Sequence, residues 1–229
     1  MKNPSETESE AQDAEPRIGT GPIGGQMSAI VSGLLLRFRL PSLSKRHGST
    51  VILAAFSFIN GCLSIGLMGV VALVTGQPFI FPSLGPTAFL YFYTPLTPAA
   101  SPRNAIIGHL IGALAGWGSL LLFGLHHAGP ALSAGVTGPR IGAAALSLGL
   151  TSGLMVLLKA PHPPAGATTL IISLGLFRTF DQVIVLMVAV LLLTLQAIAI
   201  NRLAGLPYPL WNAKPAIQTT RPQGRATRS

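Results

Sequence analysis

Carboxylates are almost absent from this chain. Five of its six Asp and Glu residues fall within the first fifteen positions, MKNPSETESEAQDAE, and Asp181 is the only one after Glu15. Cation carriers, proton relays and Ca²⁺ or Mg²⁺ sites are usually built on buried carboxylates, so the rest of the chain is poorly supplied for that chemistry. Charge of either sign is scarce, at 9% of 229 residues, where a soluble domain carries about one quarter. A single cysteine, Cys62, excludes an internal disulfide, a zinc knuckle and a thiol pair. Inside an apolar block it reads as a small packed residue and not as a nucleophile. Also missing are G-x-S-x-G, H-E-x-x-H, a P-loop and any Cys/His cluster at metal spacing. Histidines without a carboxylate partner make poor metal or acid–base sites. The expectation is no enzyme, no metal and no cofactor.

What is abundant is apolar sequence, 49% of the chain, in blocks at about 49–75, 79–96, 103–125, 140–158, 163–177 and 182–202. Crossing a hydrocarbon core of roughly 30 Å takes about 20 helical residues. The first, third, fourth and last blocks are long enough. The other two, FIFPSLGPTAFLYFYTPL and PPAGATTLIISLGLF, are short and interrupted by Pro and Gly. The fold expected is an all-α polytopic membrane protein with four long transmembrane helices and two short Pro/Gly-broken membrane segments, set in the lipid bilayer of an inner or plasma membrane. The bulky last block reads as lipid-facing.

The net charge of +9 comes from basic residues scattered or placed in tails flanking apolar blocks, without a basic stripe interleaved with aromatics. That favours membrane topology over nucleic acid. Arg37, Arg39, Lys45 and Arg46 precede the first block, and Arg202, Lys214, Arg221, Arg225 and Arg228 follow the last, which puts both termini in the cytoplasm. An even number of crossings follows. Six satisfies the positive-inside rule better than four by a residue or two. Residues 1–47 read as a disordered cytoplasmic tail, 48–203 as the membrane domain and 204–229 as a basic, Pro-rich tail.

The chain also matches itself. PSLGPTA (82–88) and PPAGATT (163–169) share a P-x-x-G-x-T frame, and each lies between two long blocks. If both broken segments cross, the halves at about 49–125 and 140–202 form a 3+3 inverted repeat, an arrangement that points to a transporter's central site. A break in a membrane helix leaves backbone groups that only protein or a water-filled cavity can satisfy. The new helix beyond each break presents a partly positive N-terminus. Ser83, Gly85 and Thr87 on one side, and Pro163, Pro164, Gly166, Thr168 and Thr169 on the other, are therefore candidate anion-binding residues. Lys159 and His162 at the second break, with Arg103, Asn104 and His109, complete the set and bias it positive. Arg140 and Arg178 read as interfacial anchors, and Arg103 reads equally as an anchor. Asp181 reads as the N-cap of the last helix. Ser101 and Pro102 mark a good helix start. Gly108, Gly112 and Gly116, like Gly149 and Gly153, recur four apart, a spacing that lets another backbone approach, within the chain or in a homo-oligomer.

The segment PHPPAGATTLI, with FPSLGPTAFLYF and SPRNAIIGHLIGALAG, resembles the HPP family of integral membrane proteins, named for the motif at His162-Pro163-Pro164. The similarity covers about residues 48–203. The resemblance implies four membrane spans, with the short blocks re-entrant, and transport of a small anion, nitrite being the best-known candidate. Its rivals are a passive channel for small anions or neutral solutes and a non-transporting membrane scaffold.

Overall fold

The computed structural model describes residues 39–47, 49–177 and 179–213, all within one compact unit that starts at Arg39. The helices are α1 (Leu40–His47), α2 (Ser49–Thr75), α3 (Leu84–Tyr93), α4 (Pro102–Leu122), the single turn α5 (Ala131–Ala134), α6 (Gly138–Leu157), α7 (Pro164–Ser173) and α8 (Phe180–Leu203), with a 3₁₀ turn at Pro98–Ala100. Among the described residues there is no strand. Among the described residues four helices, α2, α4, α6 and α8, are long and apolar enough to cross a membrane. The protein is a multi-pass integral membrane protein.

Local chemistry sets the helix ends. The Ser101 side chain accepts from the Asn104 N–H and Pro102 opens α4, as expected of a Ser-Pro start. At α8 the N-cap is Thr179, whose N–H donates to Gln182 Oε1 at 3.4 Å. Asp181 sits one residue inside the helix, where its charge suits the N-terminal dipole without capping. The short helices α3 and α7 each have ten residues, about 15 Å at 1.5 Å per residue. Neither is long enough to cross as a helix.

Both segments nevertheless join opposite ends of the bundle. At one end, Arg103 at the start of α4 bonds the Leu158 and Lys159 carbonyls just beyond α6. At the other end, Arg140 at the start of α6 bonds the Ser173 carbonyl closing α7, and the Ala131 N–H bonds the Leu174 carbonyl. The break at 160–163 and α7 therefore run from the Arg103 end to the Arg140 end. The stretch holding α3 runs the other way: Phe81 packs at a tilt against Phe177 at the Arg140 end, and the Tyr91 carbonyl accepts from Asn201 near the close of α8. The geometry departs from the re-entrant expectation, because a re-entrant segment returns to the end it left.

Glycines determine how α7 fits. It lies parallel to α4, and the two form the most extensive helix contact among the described residues. A Cβ on Gly108 would stand 2.8 Å from His162 Cβ, one on Gly112 2.6 Å from the Ala165 carbonyl oxygen, and one on Gly116 2.9 Å from the Thr169 carbonyl oxygen. The stripe on α4 is a bed for the α7 backbone. A Cβ on Gly149 or Gly153 of α6 would meet nothing within 4 Å, so that second stripe has no partner among the described residues.

Three further expectations need correction. Residues 40–47, assigned to the polar tail, form α1, and the Leu40 N–H bonds the Ala204 carbonyl at 3.0 Å. Residues 204–213, also assigned to a tail, fold back, and Tyr208 is fully buried. The α8 helix is not simply lipid-facing. Leu186, Val190, Leu193 and Ala197 are core residues, because α8 packs against α2, α3 and α4. Arg37, Arg178, Lys214, Arg221, Arg225 and Arg228 lie outside the described residues.

The two glycine stripes should separate in thermal unfolding of the purified protein in detergent. Gly112→Ala forces backbone against backbone and should cost about 1–3 kcal/mol. Gly149→Ala enters open space and should be neutral or stabilising, by up to about 1 kcal/mol from the lower entropy of the unfolded chain. Equal effects would refute the packing described.

Candidate functional site

The second break opens with a left-handed turn at the end of α6, closed by the Lys159 and Ala160 N–H groups on the Val156 and Met155 carbonyls. The α6 helix ends at Leu157, and Lys159 takes φ +50°, a left-handed setting uncommon for any residue but glycine, Asn or Asp. The Arg103 guanidinium holds the turn, donating to the carbonyls of Lys159 at 3.1 Å and Leu158 at 3.2 Å. These are carbonyls at a helix C-terminus, where a cation is favoured. The chain then turns inward, and His162 lies against Gly108, fully buried.

At that depth four side chains from four segments meet. Thr87 of α3 has its Oγ1 2.9 Å from His109 Nε2 and 3.3 Å from His162 Nε2. His109 of α4 reaches Thr168 Oγ1 of α7 through Nδ1 at 2.7 Å, and its Nε2 lies 3.2 Å from His162 Nε2. The two imidazoles stand edge-to-face with centroids 4.9 Å apart. All four residues are fully buried. His109 thus bonds one threonine from each short helix, and those are the two threonines of the shared P-x-x-G-x-T frame.

Proton positions follow from donor and acceptor counts. His162 Nδ1 is 2.8 Å from the Ala99 carbonyl, which can only accept, so Nδ1 carries the hydrogen and a neutral His162 has a lone pair on Nε2. The facing His109 Nε2 must then be the donor, shared between His162 Nε2 and Thr87 Oγ1. His109 Nδ1 is left to accept from the Thr168 hydroxyl, and the Thr87 hydroxyl donates to the Ser83 carbonyl at 2.9 Å. Every polar atom of the four side chains is used with both imidazoles neutral, as a buried polar network in a low-dielectric interior requires.

The 3₁₀ turn beside the pair is the anchor of the network. The Pro98 carbonyl accepts from Ser101 Oγ at 2.8 Å and Asn104 Nδ2 at 2.9 Å. The Ala99 carbonyl takes His162, and the Ala100 carbonyl accepts from the Tyr208 hydroxyl at 2.6 Å. Burial pushes the Tyr208 hydroxyl above the usual phenol range, so it stays a donor. Ala99, Ala100 and Tyr208 were invisible to sequence reasoning, since two act through the main chain and the third lies in a segment read as a tail.

The other expected site residues divide clearly. Asn104 and Arg103 are structural ties, their side chains joined at 3.0 Å. Pro164 and Thr169 are buried, and Thr169 Oγ1 and Ser83 Oγ are buried without a hydrogen-bond partner. Gly85 is exposed and Gly166 packs against Leu148. Lys159 and Pro163 are exposed and, with Ser152, Met155, Val156, Pro161 and His162, line a cavity of about 500 Å³ on the outer side of the pair. The first N–H groups of the short helices do not face a cleft. Those of Leu84, Ala165 and Gly166 bond the Phe81, His162 and Pro163 carbonyls. Arg140 is not an interfacial anchor: it is buried and bonds the Ser173 carbonyl at 3.1 Å and the Gly129 carbonyl at 2.8 Å. It packs over Gly175, whose φ of +80° ends α7.

Two measurements test this geometry. Nitrogen-15 spectra of histidine-labelled protein should show His162 as the Nδ1–H tautomer and His109 as the Nε2–H tautomer, and the reverse pair would refute the network. Tyr208→Phe should cost about 1–3 kcal/mol in unfolding, because it leaves the Ala100 carbonyl buried without its donor.

A sequence profile described as HPP, transmembrane region, matches residues 46–209. Two transmembrane proteins of Dictyostelium discoideum are similar in sequence: one is 31% identical over 134 residues, 56% of this chain and 44% of that protein, the other 33% identical over 93 residues, 41% of this chain and 27% of that protein. The chain thus aligns with less than half the length of either relative. No solved structure matches. The profile takes in all four spanning helices and both short ones, including the four residues that meet at the histidine pair. The chain belongs to the HPP transmembrane family.

Proposed function

We propose that this protein carries a small inorganic anion across the membrane, with nitrite the candidate and a proton as its companion. The observation that carries the reading is the His109–His162 pair, which ties together both short segments within a stretch, 16–180, that has no carboxylate. Imidazole is the side chain whose ordinary charge change falls between pH 5 and 8. Nitrite enters from the family resemblance, which implies small-anion transport.

The pair holds one hydrogen between its two Nε2 atoms. A second proton adds at His109 Nδ1, the lone pair that faced Thr168, so that Nδ1 donates to the Thr168 hydroxyl and the hydrogen between the two Nε2 atoms can sit on either imidazole. Thr168 then accepts from His109 and its own hydroxyl hydrogen needs a new acceptor, so the bond between α4 and α7 is kept with its direction reversed. The protonated pair is a buried cation and needs a counter-charge. An anion in the cavity beside His162, drawn in past Lys159, supplies it, so proton and anion favour each other's binding. The order α2, α3 segment, α4 runs end to end in the opposite sense to α6, α7 segment, α8. We read this as the inverted repeat of a carrier, in which the short segments move against the long helices to open the site to alternate sides.

Purified protein in proteoliposomes should take up nitrite saturably, faster with acid outside, and acidify the lumen as it does so. His162→Gln should reduce uptake to the level of empty vesicles while the protein remains folded. Unsaturable flux without counterflow would assign a channel instead. Absence of nitrite flux alongside flux of another anion would remove nitrite and keep the carrier.

A further inference from the structure

A second basic site lies away from the histidine pair, at the Arg103 end of the bundle. Arg39 and Arg202, with Gly205, Leu206 and Pro207, line a cavity of about 350 Å³. Neither guanidinium has a carboxylate within reach among the described residues. The one carboxylate there is Asp181, which opens α8, while Arg202 is in its last turn. The 21 positions between them (202 − 181) correspond to about 30 Å of helix.

The backbone around the site and the Arg202 side chain are tied to neighbouring groups. Gly205 has φ +81°, and a Cβ on it would fall 2.7 Å from Arg39 Cδ. Glycine there lets the helix end turn and gives the Arg39 stem a bare backbone to lie on. The Leu40 N–H bond to the Ala204 carbonyl fixes the chain that carries Arg39. Arg202 Nε donates to the Tyr208 carbonyl at 3.1 Å, which orients its guanidinium. The carbonyls of Ile200, Asn201 and Arg202 at the end of α8 accept from the Ala204, Leu206 and Gly205 N–H groups, so the helix end is closed by its own backbone. Both arginines are exposed at the rim of one cavity, and among the described residues only Arg202 Nε has a hydrogen-bond partner, which leaves the other guanidinium donors for a ligand.

We propose that this cavity binds a phosphate group, and that its source is the headgroup of an anionic phospholipid. Guanidinium forks match phosphate oxygens in pairs. The cavity lies at the C-terminal end of α8, a helix long and apolar enough to cross a membrane, and the end of such a helix is the level at which lipid phosphates sit. Leu203, beside Arg202, is 82% exposed, and Val51 in the first turn of α2 is 67% exposed, so apolar surface is available to acyl chains below the headgroup. A basic pocket between helix ends, above apolar flanks, has the form expected of a lipid-headgroup site.

The test uses the full chain in a detergent with an uncharged headgroup, titrated with phosphatidylglycerol, phosphatidylcholine or inorganic phosphate and followed by native mass spectrometry and thermal unfolding. Phosphatidylglycerol should bind and raise the melting temperature, and phosphatidylcholine should do so weakly. R39Q/R202Q should weaken phosphatidylglycerol about tenfold or more, from about 1 kcal/mol per basic residue. The single variants R39Q and R202Q should each show part of that loss, which covers the case of a poorly folded double variant. Equal phosphatidylglycerol binding by wild type and variants would overturn the site. Displacement of the lipid by millimolar inorganic phosphate would overturn the lipid assignment in favour of a soluble phosphate.

Discussion

His109 bonding to both Thr87 and Thr168 is the contact on which the centre of the molecule depends. Each threonine sits in a helix too short to cross the membrane, next to a break whose polar atoms hydrocarbon cannot satisfy. One imidazole with two nitrogens, placed between two hydroxyls, joins the two segments. His162 closes the arrangement by passing its own hydrogen to the Ala99 carbonyl. Without these bonds the two imidazoles and the Thr168 hydroxyl would be buried unpaired, at about 1–3 kcal/mol for each group, while Thr87 would keep its bond to the Ser83 carbonyl.

The surroundings serve that contact. The glycines of α4 remove the side chains that would hold α7 away, so His162 and Thr168 come within bonding distance of His109. Arg103 and Arg140 act as matching ties at opposite ends: each stands at the start of a long helix and closes carbonyls at the end of another. Tyr208 reaches from beyond α8 to the turn that accepts His162. The C-terminal stretch and the histidine pair are therefore mechanically joined through adjacent carbonyls, Ala99 and Ala100. The centre of the molecule thus combines closely packed helices with a polar seam of side-chain hydrogen bonds.

Much of the fold was legible. The apolar blocks marked the four long helices, and Pro and Gly marked the two breaks, because proline and glycine act locally on the backbone whatever surrounds them. The frame P-x-x-G-x-T picked out Thr87 and Thr168, and His162 stood out because a break is where polar groups gather. Less could be read about the arginines. Arg140 and Arg103 have the composition of interfacial anchors, and only their distance to particular carbonyls shows otherwise. The two glycine stripes have the same spacing, yet one receives a helix and the other open space. Spacing describes one helix face, and contact needs a second surface.

The division has a physical cause. Hydropathy, helix starts and stops, and the near-absence of carboxylate are properties of consecutive residues, and they were enough to determine a multi-pass helical protein with two interrupted segments and a positive bias. Which polar atoms meet was decided by tertiary structure. A hydrogen bond between residues 59 positions apart, such as that of His109 with Thr168, depends on where two helices cross. The direction of each short segment, the tautomer of each histidine and the burial of Tyr208 are likewise set by contacts between distant parts of the chain, which no local pattern encodes.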